Sequence, residues 1–185
     1  MKAYARKASV RWSGTRARGT AALSTPGTAL KMALYSTGSN HRRRGTNPPE
    51  LIAAAHAGSF ALTLANELVQ AGHTPRQIDT TTTVTMEHLP AGWTMTQIHL
   101  DVLATLPGMA ECDFVDATLR AKANCPVSRA LTANVSMRAR LSRREGSLLD
   151  GRRRKPGTSS KGGSQPARWR AGFDAVGCGQ TISSD

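Results

Sequence analysis

At 185 residues and 39% hydrophobic, the chain is long enough to bury the core of one domain and short for two. Its formal charge of +13 sits at the extremities: residues 1–20 hold six bases and no acid, residues 42–44 add three arginines, and 138–185 hold eleven bases against four acids, whereas 45–137 hold four bases and eight acids. Basic ends on an acidic body argue against a shaped nucleic-acid face, and the three cysteines, at 112, 125 and 178, form no CxxC pair and no zinc-like spacing, so neither nucleic acid nor a metal is expected.

Two short strands, about 7–13 and 18–24, are predicted first, joined by a glycine-containing turn and followed by a loop through Pro26 and Gly27. The basic start lacks the apolar run of a signal peptide, and residues 8–12 alternate like a strand, so a cytoplasmic location is expected. No stretch reads as a membrane span. The main helix follows. Asn47 suits the N-cap, Pro48 the first helical position and Glu50 the third, which together make a capping-box start. Residues 51–65 are apolar nearly all round, which predicts burial on all sides, and Gly72 is placed to end the helix.

Residues 78–86 alternate, with Ile78, Thr80, Thr82, Val84 and Met86 on one face and Asp79, Thr81, Thr83 and Thr85 on the other. After a turn at Leu89-Pro90-Ala91-Gly92, Ile98, Leu100 and Val102 alternate against Gln97, His99 and Asp101, giving an antiparallel hairpin with one covered face. A second helix, about 110–123, is expected to turn Phe114, Val115 and Leu119 inward and to pair Asp116 with Arg120 outward. A short helix opens at Pro126, after Cys125, and Ala133, Val135, Met137, Ala139 and Leu141 mark a last strand. Antiparallel hairpins with helices packed among them give an α+β fold over residues 1–141. Residues 142–185 are rich in Gly, Ser, Arg and Pro, show no period of 2 or 3.6, and read as a disordered tail.

The run GTNPPELIAAAHAGSF at 45–60 and Asn124-Cys125-Pro126-Val127-Ser128 carry a resemblance, with Arg11-Trp12-Ser13-Gly14 and Gly72-His73-Thr74-Pro75 in support. They resemble the OsmC branch of the OsmC and organic-hydroperoxide-resistance (Ohr) proteins, bacterial thiol peroxidases, over about residues 7–141. The resemblance implies an OsmC-like fold: antiparallel sheets around a long buried central helix, assembled as an intertwined homodimer. It also implies an organic hydroperoxide as substrate and a dithiol, the lipoyl type included, as reductant. No cofactor and no membrane partner is implied. In that family the helix reads AAHAxCF, so the peroxidatic cysteine falls on Ser59, the resolving cysteine on Cys125 and the catalytic glutamate on Glu50. The family's catalytic arginine falls on Ser39 or Asn40, depending on the end from which the loop is counted.

Ser59 is the departure with consequences. Attack on an O–O bond passes through a sulfenic acid, and a serine hydroxyl ionises far less than a thiol and has no oxidation state to cycle. With Ser59 in the nucleophile's place and the family's arginine missing, the chain reads as a hydroperoxide reductase with impaired turnover; the alternative is a non-catalytic remnant of the fold or a binder of a small apolar ligand. A serine-hydrolase reading of Ala57-Gly58-Ser59-Phe60, with His56 three residues before the serine, meets two objections: the serine falls in mid-helix, and the motif lacks the flanking glycines of a nucleophile elbow. Cys125, next to a helix N-terminus, reads either as an activated thiol or as an inert buried one. Glu50 and Ser59 are nine residues apart, about 13.5 Å along a helix, so a shared site would draw them from different subunits.

Overall fold

The computed structural model describes residues 3–15, 20–27, 29–35 and 45–142. The expected tail, Cys178 and the positions at 39 and 40 lie outside them. The chain divides into two compact units, Met1–Ile52 and Ala53–Asp185, and the boundary falls inside the first helix.

The first unit holds an antiparallel meander of β1 (Ser9–Ser13), β2 (Thr20–Ser24) and β3 (Ala33–Tyr35), the last a strand the sequence did not signal. Alternation on β2 buries Ala21 and Leu23. From β3 the route to the first helix passes Gly45, whose φ of +118° belongs to glycine and where a Cβ would stand 2.6 Å from the Leu34 carbonyl oxygen. Thr46 N–H donates to that carbonyl at 2.8 Å.

Helix α1 (Pro48–Gln70) then starts as its sequence dictates: the Glu50 N–H donates to Asn47 Oδ1 at 3.0 Å. The reciprocal half of the box is missing, because the Glu50 carboxylate takes the Thr46 hydroxyl instead, at 3.3 Å. At the other end His73 N–H donates to Leu68 O and Gly72 N–H to Val69 O, with Gly72 at φ +82°, a Schellman close.

The second unit carries β4 (Gln77–Leu89), β5 (Gly92–Thr105), α2 (Glu111–Asn124), α3 (Pro126–Ala130) and β6 (Asn134–Ser142). β4 and β5 form the expected antiparallel hairpin around Pro90 and Ala91, with one register shift at Thr85/Met86. β6 departs from expectation: it lies parallel to β5, Ile98 beside Val135 and Leu100 beside Met137. A parallel neighbour needs a long crossover, and the two helices between β5 and β6 supply it.

Ile98, Leu100, Val102 and Ala104 are fully buried on one face of β5, and alternate residues of β6 turn the same way. Against them lie Phe60, Leu64 and Leu68 of α1, with Phe114, Ala117 and Ala121 of α2, in a single cluster. The second face of the hairpin is not wholly open, since Asp79 is buried and accepts from Gln77 Nε2 at 2.7 Å.

Two further expectations are corrected. Within the single chain α1 buries one stripe, His56, Phe60, Leu64 and Leu68, each four residues from the next, and leaves Leu62 and Val69 exposed, because the sheet covers only one side of it. On α2 the inward residues are Phe114, Ala117, Thr118 and Ala121; Leu119 is exposed and Arg120 pairs with Glu67 of α1 at 3.1 Å, so the inward stripe is rotated from the one expected. By length and composition alone α1, with 23 residues and an 18-residue window of mean hydropathy 1.2, would also pass as a membrane span, a weak signal that a core helix gives as well. In this fold part of that apolarity lines the core.

Candidate active site

Pro126 builds the site. A residue before proline is pushed out of the α region, and Cys125 duly sits at φ −64°, ψ 120°, ending α2 and opening α3. Its N–H still donates to Ala121 O at 2.8 Å, and its carbonyl accepts from Arg129 N–H at 3.0 Å. One residue thus serves as C-cap and N-cap, with both backbone groups fixed and the side chain fully buried.

The Cys125 sulfur meets the middle of α1. Ser59 Oγ lies 3.3 Å from Cys125 Sγ, so two of the three expected site residues come together. Ser59 is in mid-helix and only half-buried, and its carbonyl accepts from the Thr63 hydroxyl one turn on. Glu50, the third, stays in the first turn of the same helix with Asn47 and Thr46.

Two residues that the sequence reading assigned to no redox role join the site. His56 Nε2 is 2.7 Å from Ser128 Oγ, and Ser128 in turn reaches the Cys125 sulfur with both its hydroxyl and its N–H. His56 therefore serves Ser128 and makes no pair with Ser59, which removes the nucleophile–base contact a serine hydrolase requires. His56 and Ser59 are three apart on α1, Cys125 and Ser128 three apart at α3, and the pairs meet antiparallel; the equal spacing becomes visible only once the two segments lie side by side.

Burial pushes the Cys125 thiol up, but hydrogen bonds from Ser59, from the Ser128 N–H and hydroxyl and from the Val127 N–H outweigh it and bring its pKa below the ordinary value. Burial lowers the pKa of His56, which favours the neutral ring. Its Nδ1 is buried and has no hydrogen-bond partner among the described residues. Beside Ser128 an open groove of about 370 Å³ runs between Leu119, Lys122, Arg129 and Val135. Among the described residues no three His, Cys, Asp or Glu side chains gather as metal ligands.

Chemically the arrangement is a sulfur held in a cage of donors, which stabilises a thiolate, with a hydroxyl where a second sulfur would complete a redox pair.

Similarity to known proteins points the same way. The family profile described as OsmC-like protein matches residues 38–140. The chain is 37% identical over 133 residues to peroxiredoxin OsmC of Escherichia coli K12, covering 71% of this chain and 93% of that protein, and matches the Shigella flexneri peroxiredoxin OsmC to the same extent. Among solved structures it resembles an OsmC-like protein of unknown function from Vibrio cholerae (TM-score 0.63, 12% identity, 74% of this chain and 99% of that one). It also resembles the organic hydroperoxide resistance protein OhrB of Bacillus subtilis (TM-score 0.54, 20% identity, 74% and 98%).

Proposed function

Since this chain belongs to the OsmC-like family, whose relatives include a peroxiredoxin and organic hydroperoxide resistance proteins, we propose that it is a thiol-dependent organic hydroperoxide reductase whose turnover is impaired at Ser59. The 3.3 Å contact between Ser59 Oγ and Cys125 Sγ carries the reading. With a cysteine at 59, a thiolate would attack the terminal oxygen of ROOH, releasing ROH and leaving a sulfenic acid. The Cys125 thiolate would then displace its oxygen as water, forming a disulfide that a dithiol reduces. Sulfur at position 59 would need little movement to reach the S–S distance of about 2.0 Å. With serine there, Cys125 is the one sulfur left of that pair, and it is fully buried.

Glu50 keeps the position of the glutamate that orients the family's arginine, although that arginine's place is taken here by Ser39 or Asn40. Lying about 13.5 Å along α1 from Ser59, it would come from a second subunit. An intertwined homodimer supplies that geometry, and the apolar residues that a single protomer leaves uncovered on α1, Leu62 at 67% and Val69 at 56% exposure, support it. The free thiols of Cys112 and Cys125 suit a reducing cytoplasm; recovery of the protein in a membrane or secreted fraction would overturn that part.

The test is dithiol-coupled turnover of an organic hydroperoxide by the natural chain and by Ser59→Cys. Ser59→Cys is expected to exceed the natural chain by more than about tenfold, equivalent to about 1.4 kcal/mol of barrier. Two silent proteins would mean that the loss of the family's arginine has disabled the site as well, and turnover by the natural chain equal to that of Ser59→Cys would refute the assignment of Ser59 to the missing nucleophile.

A further inference from the structure

His56 is fully buried, reaches no substrate-facing surface, and spends its one hydrogen bond on a serine beside the reactive sulfur. The direction of that bond decides what the serine offers Cys125. A hydroxyl has one proton and two acceptor sites. With hydrogen on Nε2, the imidazole donates to Ser128 Oγ, and the Ser128 proton is free for the sulfur. With hydrogen on Nδ1, Ser128 would give its proton to Nε2 and turn a lone pair toward the sulfur, which suits a thiol and repels a thiolate. The other ring nitrogen separates the two cases. Nδ1 has no partner among the described residues, and a bare buried acceptor is tolerated more often than a buried N–H with nowhere to donate.

We infer that His56 is a positioning residue for Cys125: its Nε2–H holds the Ser128 hydroxyl as a donor to the sulfur, so that the imidazole acts on the reacting atom through one serine. The inference rests on the reading of Cys125 as the site's sulfur and adds two residues to it. The antiparallel match of the 56/59 and 125/128 pairs gives the arrangement its rigidity, since α1 holds one side of both contacts and α3 the other. Of the charged side chains on the neighbouring elements, Lys122 of α2 and Arg129 of α3 line the groove onto which Ser128 opens, while Arg120 of α2 is taken up by Glu67 of α1. The Cys125 pKa is lowered by the hydrogen bonds from Ser59, Ser128 and Val127, set against burial, which raises it.

The experiment is a pH titration of ultraviolet thiolate absorbance on the full chain, each protein paired with its Cys125→Ser counterpart so that the other cysteines cancel. His56→Phe and Ser128→Ala are each expected to raise the Cys125 midpoint by about one pH unit, a tenfold loss of thiolate below the midpoint. The double variant should shift it no further, because the two residues act in series. His56→Gln, which keeps an N–H near the position of Nε2, should stay close to the natural midpoint. An unchanged midpoint in Ser128→Ala, or additive shifts in the double variant, overturns the inference; so does a His56→Phe protein that folds and titrates like the natural chain. Should His56→Phe fail to fold, His56→Leu takes its place with the same expected shift, and an unchanged midpoint there overturns the inference. Hydroperoxide turnover plays no part in this readout, so a failure of the proposed reductase activity would leave the titration result standing.

Discussion

At the scale of single residues, the site turns on what each side chain can do with a proton. Pro126 marked Cys125 as the start of a helix, and Cys125 and Ser59 were legible in the sequence through the family motifs that contain them. The part played by His56 was not, since its partner lies 72 residues away and the ring makes no local contact that a pattern would expose. Its burial has a consequence for stability. The folded-state pKa lies below the ordinary 6.5, so the unfolded chain binds the proton more readily. No penalty applies above the unfolded value, and stability falls as pH drops through it toward the folded one. Thermal melts between about pH 7.5 and pH 5 should therefore show a loss that His56→Gln reduces; parallel profiles for the two proteins would mean that other groups carry the acid sensitivity.

At the scale of elements, helix ends were read well and strand direction was not. Asn47 and Gly72 act through local backbone geometry, which a short stretch of sequence specifies. Asn47→Ala removes the acceptor for the Glu50 N–H and should cost about 1 kcal/mol. Gly72→Ala meets no atom within 4 Å, so its cost is purely the left-handed backbone at φ +82°, about 1–2 kcal/mol. Urea unfolding measures both, and a Gly72→Ala protein as stable as the natural one would contradict the conformational account. The direction of β6 was illegible for a different reason. Alternation of Val135, Met137, Ala139 and Leu141 reports which face is covered, and that alternation is the same whether the neighbouring strand runs parallel or antiparallel. The same limit applies to α2, where the choice between Leu119 and Thr118 as an inward residue depends on how the helix is rotated against α1, with Glu67 clamping Arg120 and Asn124.

At the scale of the whole molecule, the open question is what covers α1. Its composition predicts burial on every side, and a single protomer delivers one stripe. An intertwined dimer would account for the difference, and sedimentation should then give twice the chain mass of 19.7 kDa. Leu62→Glu, placing a charge on the uncovered face, should shift that population toward the single chain; a natural chain that sediments as a monomer would sink the dimer and with it the partner-supplied Glu50. What the sequence determined by itself was whatever adjacent residues enforce: the caps of α1, the break at Pro126, the alternating faces of β4 and β5, and the family to which those motifs point. Only the tertiary structure decided which residues meet across the core, Ser59 with Cys125 and His56 with Ser128, because those contacts depend on how two helical segments are laid side by side, and no local preference of either segment contains the other.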